Sequence, residues 1–131
     1  MKSRFFALIL GLGVLSGELC ADVQVLSWET KNGAKVNFVR AAEIPMVDIR
    51  VVFGAGSVRD GRKYGLAKVV NRLLLEGAGE LDASKFKDML AMTGANLYAD
   101  SLREMAFISL RTLKSKEYYS KSLELLTLAV T

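Results

Sequence analysis

The stretch Pro45-Met46-Val47-Asp48-Ile49-Arg50-Val51-Val52-Phe53-Gly54-Ala55-Gly56-Ser57 decides the fold. Val47, Ile49, Val51 and Phe53 share one face, so Met46 to Phe53 reads as a strand. Pro45, the only proline of the chain, ends the loop that begins at Ala41. Gly54-Ala55-Gly56-Ser57 ends the strand. A Gly-rich turn between strand and helix can cradle an anion. Here the Lys-Ser/Thr of a P-loop is missing and the G-x-G-x-x-G spacing fails, so the turn reads as a chain reversal that needs glycine. After the polar loop Val58 to Lys63, the segment Gly65 to Leu75 carries Leu66, Val69, Val70, Leu73 and Leu74 at helical spacing, with Lys68, Asn71, Arg72 and Glu76 on the opposite stripe.

Working outward, Val23 to Thr30 alternates Val23, Val25 (with Leu26) and Trp28 with polar residues, the pattern of a half-buried strand. Lys31-Asn32-Gly33 predicts a tight type I′ turn, after which Ala34 to Arg40 folds back antiparallel. Downstream, Gly77-Ala78-Gly79 closes the first helix. Asp82 or Ser84 can cap a second, running through Phe86, Met89, Leu90 and Met92 to Gly94. Ala95 to Ala99 and Met105 to Arg111 read as two strands joined through Asp100 to Glu104, a connection in which Leu102 has no evident task. A last helix starts near Ser115 and contains Tyr118, Tyr119, Leu123, Leu126 and Val130. This order predicts an α+β fold, an antiparallel sheet with helices packed on one face.

Composition bounds the chemistry. The 131 residues include no histidine and one cysteine. A Ser-His-Asp or Cys-His nucleophile system is therefore impossible within the chain, as are a C-x-x-C redox pair and a disulfide framework. The 18 Lys+Arg outnumber the 14 Asp+Glu only modestly and are scattered, without interleaved aromatics, which argues against nucleic acid as a partner.

Residues 1–21 have the layout of a secretory signal peptide: basic Lys2 and Arg4, an apolar run from Phe5 to Leu15, and a more polar exit from Ser16 to Ala21. The run is short for a membrane span, which takes ~20 apolar residues. Export to the periplasm or beyond is expected, with no stable membrane insertion after cleavage. Glu18 and Leu19 before Cys20 disfavour lipidation. The last helix is still apolar at Thr131, so residues 22–131 read as the N-terminal part of a longer domain.

Three runs, V-D-I-R-V-V-F-G-A-G-S-V-R-D, Y-G-L-A-K-V-V-N-R-L-L-L-E-G-A-G and F-K-D-M-L-A-M-T-G-A-N, resemble the N-terminal domain of the pitrilysin/insulinase family of zinc metallopeptidases, as does the opening T-K-N-G-A-K-V-N-F-V. Active members carry H-x-x-E-H on the helix after G-L-A, with two His on zinc and the Glu as general base. The resemblance puts the first His at Lys68, the Glu at Asn71 and the second His at Arg72; all three are replaced. It implies no catalytic residue and no metal or cofactor site in this chain, zinc being expected only in a catalytic partner. Read without the resemblance, Lys68, Asn71 and Arg72 are the solvated stripe of a helix, with Arg72 and Glu76 close enough to pair.

In heterodimeric bacterial members of the family, one subunit brings the zinc helix and the other helps bind substrate. The chain is similar to that second kind of subunit, which implies a histidine-bearing paralogous partner and a peptide substrate. The alternatives are a structural or binding member that has left proteolysis, and a truncated remnant of a disrupted gene.

Overall fold

The computed structural model describes residues 23–131; the signal-peptide reading of residues 1–21 and Cys20 lie outside the described residues. The chain divides after Ala41 into two compact units.

In the first unit, β1 (Val25–Glu29) pairs antiparallel with β2 (Lys35–Val39) in the register Val25↔Val39 to Glu29↔Lys35. The turn is not type I′. That turn needs positive φ at both central residues, whereas only Gly33 (φ 84) has it here. Thr30 accepts from the Gly33 N–H at 2.9 Å and donates its own N–H to Ala34 at 2.9 Å, the three-residue loop in which a left-handed glycine follows the turn. The half-buried expectation for β1 also fails, since every residue of it is exposed. Val25 and Trp28 point to opposite faces. The apolar face is instead Leu26 and Trp28 opposite Phe38 and Val36.

In the second unit, β3 (Met46–Phe53) pairs with β7 (Ala106–Leu113), which also pairs with β6 (Asn96–Ser101); all pairings are antiparallel, in the order β3-β7-β6. Period-two alternation turns Ile108, Leu110 and Thr112 of the central strand inward with Leu97 and Ala99 of β6, and Val47, Ile49 and Val51 of β3 lie half-buried on the same face. Two helices cover this face, α2 (Ala83–Thr93) and α3 (Lys116–Val130). Phe86 and Leu125 are fully buried there against Ile108.

Asp82 caps α2 by accepting from the Lys85 N–H at 2.9 Å, and Gly94 (φ 63) ends it. The inward stripe of α3 is Ser122, Leu125, Leu126 and Ala129, whereas Tyr118 and Val130 stay partly exposed at its margin. Ser122 sits in the core because its hydroxyl is satisfied, donating to the Tyr118 carbonyl at 2.6 Å and lying 3.0 Å from the Thr112 hydroxyl. A two-residue ladder, β4 (Gly77–Ala78) with β5 (Leu81–Asp82), links the first helix to α2.

Gly56 explains the glycine turn. Its φ of −80° is ordinary, so glycine is not there for a left-handed backbone. A Cβ would collide with the tip of the β6–β7 hairpin, meeting the Arg103 carbonyl and lying 2.5 Å from Glu104 C and Met105 N. Leu102 also gains a task. Its carbonyl accepts from the Ser57 N–H at 2.9 Å, beside Val58 N–H to Arg103 at 2.8 Å.

Candidate functional site

The helix that carries the candidate residues, α1 (Leu66–Leu73), is aimed by Asp60. The buried Asp60 carboxylate accepts from the N–H groups of Gly65 and Ala67, both at 2.8 Å. These are donors that a helix start leaves without intrahelical partners, and an anion suits that end of the helix dipole. Sequence reasoning missed this cap because it seeks Ser, Thr, Asp or Asn directly before the helix, where Gly65 stands.

Held this way, α1 packs against β6 and β7. Asn71 is its buried residue, Ala67 and Leu74 are half-buried, and the Asn71 amide donates to the Ala67 carbonyl at 3.3 Å. The solvated-stripe expectation therefore holds for the exposed Lys68 and Arg72 and fails for Asn71. Conversely, Leu66, Val69, Val70 and Leu73 remain about half exposed. Tyr98 and Asp100 lie on the side of β6 turned away from the core, near enough for the charges of Lys68 and Arg72 to act on Asp100 without forming an ion pair with it. Glu76 does not pair with Arg72; it takes Lys87 of α2 at 2.7 Å.

Tyr98 donates its hydroxyl to Asp100 at 2.9 Å, and the Ser101 N–H donates to the other Asp100 oxygen at 2.8 Å. The backbone N–H of Ser101 and the Tyr98 hydroxyl hold the Asp100 carboxyl below its ordinary pKa, helped by the positive charges of Lys68 and Arg72. The bond to Asp100 pushes the Tyr98 phenol up. The pair could have been found in the sequence, since residues two apart on a strand share a face.

Lys68, Asn71 and Arg72 are thus brought together on one helix beside an Asp-Tyr pair. The set does not fit zinc. Two cations repel a divalent ion, and the Asn71 amide offers at most a neutral oxygen in place of an anionic or imidazole ligand. Among the described residues no three His, Cys, Asp or Glu side chains converge as a metal site. Asp100, held low and doubly bonded, is a poor general base.

A family model, Insulinase (Peptidase family M16), matches residues 35–130. A Helicobacter pylori protein described as "Non-peptidase homolog YmxG" is 34% identical over 115 residues, covering 86% of this chain and 26% of that protein. The crystal structure of a peptidase M16 inactive domain from Pseudomonas fluorescens superposes with a TM-score of 0.79 at 36% identity, over 82% of this chain and 26% of that one. Pitrilysin shares the fold, with a TM-score of 0.69 at 20% identity over 84% of this chain and 12% of its own. The chain therefore spans about a quarter of the length of the first two relatives.

Proposed function

The chain belongs to the insulinase family, peptidase family M16, and on that premise we propose that it is an exported, non-catalytic member that helps hold an extended peptide for a zinc-bearing partner subunit. The observation that carries this is the donor set of α1: Lys68, Asn71 and Arg72 stand where the resemblance puts two zinc ligands and the general base. The description of the Helicobacter pylori relative as a non-peptidase homologue and of the Pseudomonas fluorescens domain as inactive supports the non-catalytic half of the proposal.

The work left to such a subunit is positioning. Among the described residues β6 is an edge strand of its sheet, and main-chain pairing along an edge is a general way to hold an extended peptide. Lys68 and Arg72 beside it put positive charge at that edge. Zinc and the base would be supplied by the histidine-bearing subunit.

Co-expression of the full-length protein with a histidine-bearing paralogue tests the proposal. The expected outcome is a co-purifying pair whose peptidase activity exceeds that of the paralogue alone, with zinc bound to the paralogue only. No complex and no gain in activity would remove the heterodimer. Stoichiometric zinc on the protein purified by itself would remove the non-catalytic assignment.

A further inference from the structure

The sheet face turned away from the core holds a basin of about 550 Å³, lined among others by Asp48, Arg50, Asn96, Tyr98, Ser109 and Arg111. Two guanidinium groups and one carboxylate meet there. Arg111 grips Asp48 through both oxygens, Nε to Oδ1 at 2.7 Å and a terminal nitrogen to Oδ2 at 2.9 Å.

Arg50 is left over. Its Nε donates to the Ser109 hydroxyl at 2.9 Å, and its guanidinium carbon stands 4.7 Å from the centre of the Phe107 ring. Phe107 in turn tilts against Tyr98, ring centres 6.0 Å apart. These contacts fix the guanidinium plane without occupying its two terminal nitrogens, and among the described residues Arg50 has no ion-pair partner. An arginine held by stacking and one hydroxyl, with two parallel donors still free, is shaped for a carboxylate.

We propose that this basin binds a carboxylate group of an extended peptide, with Arg50 as its anchor, Tyr98 as its aromatic wall and Phe107 behind the anchor as the ring on which it stacks. Asn96 and Tyr98 belong to the edge strand β6, so the basin adjoins the side of the sheet where an extended chain can approach. The ligand class rests on the peptide-holding role proposed above. The carboxylate can come from an Asp or Glu side chain or from a peptide C-terminus, and the two are separable by experiment.

Fluorescence anisotropy of the full-length protein with three labelled Ala/Ser peptides supplies the test: one with a single Glu and an amidated end, one with Gln and an amidated end, one with Gln and a free end. At least one carboxylate-bearing peptide is expected to bind at least about tenfold more tightly than the neutral one. Which of the two gains identifies the source. R50Q is expected to level all three. R50K, which keeps the charge but lacks the Nε bond to Ser109, should fall between. Circular dichroism of each variant checks that the fold is kept, which the exposed position of Arg50 favours.

Equal, measurable binding of all three peptides to the native protein would overturn the carboxylate site and leave the peptide-holding role standing. So would a preference that survives in R50Q. Binding of none would remove both.

Discussion

Asp60 and Gly56 carry more of the fold than their neighbours, one by what it accepts and the other by what it lacks. Asp60→Ala leaves the Gly65 and Ala67 N–H groups without their acceptor, and a loss of about 1–2 kcal/mol is expected in denaturant unfolding. Gly56→Ala must move backbone, since the atoms its Cβ meets cannot rotate away; about 1–3 kcal/mol is expected by the same measurement. Asp48 belongs to this scale too. Its bond from Arg111 holds its carboxyl below the ordinary range, against the opposing effect of desolvation, with the charges of Arg111 and then Arg50 assisting. A depressed carboxyl stabilises the fold above its unfolded pKa of about 3.9 and loses that contribution as pH falls through the lower folded value. The pair is exposed, so the effect is small. In R111Q the Asp48 carboxyl, followed by NMR, is expected to titrate at higher pH than in the native protein; an unchanged titration would mean that Arg111 is not the cause. None of these three roles was legible in the sequence. Asp60, Gly56 and Arg111 act on residues brought near by folding, and only their local patterns can be read from the chain.

Elements were more legible than residues, and the failures among them share a cause. The strands from Met46 to Phe53 and after Ala95 and the helix after Ser115 follow from periodicity, and the helix ending at Gly94 from periodicity together with its Asp82 and Gly94 caps. The β4–β5 ladder escaped because two-residue strands have no period. The α1 helix was recognised as amphipathic yet faces the other way from expectation, because a hydrophobic stripe names a face without naming what lies opposite. Among the described residues the stripe of Leu66, Val69, Val70 and Leu73 stays half exposed. The substitution V69S/V70S should therefore lower binding of a hydrophobic dye while leaving Tm close to that of the native protein. Phe86→Ala, by contrast, empties a fully buried site and should cost about 3–5 kcal/mol. If V69S/V70S destabilised as much as Phe86→Ala, α1 would be seated on its apolar face and Asn71 would have to lie outside.

At the scale of the whole chain, the core belongs to residues 42–131, where β7 is the central strand and four of its residues are buried between its two neighbours and beneath the helices. Among its described residues the first unit is a two-stranded ribbon with five-residue strands, nearly all of whose strand residues are exposed. Opening free energy follows buried contact and backbone pairing, so the two units should not exchange amide hydrogens alike. Among the described residues the slowest amides are expected in β7, particularly at Ile108 and Leu110, whose strand donates and accepts on both sides. Those of β1 and β2 should exchange through local opening, well before global unfolding, because a two-stranded ribbon is marginal when its side chains stay in water. Hydrogen exchange read by mass spectrometry decides this. Protection in β1 and β2 equal to that of β7 would mean that the ribbon opens only with the sheet, and that its apolar face of Leu26, Trp28, Val36 and Phe38 is covered in solution. The same measurement repeated with a zinc-bearing partner bears on the proposed function: new protection along β6, the edge with Tyr98 and Asp100, is expected if that edge is where peptide or partner is held, and its absence there would move the contact elsewhere on the chain.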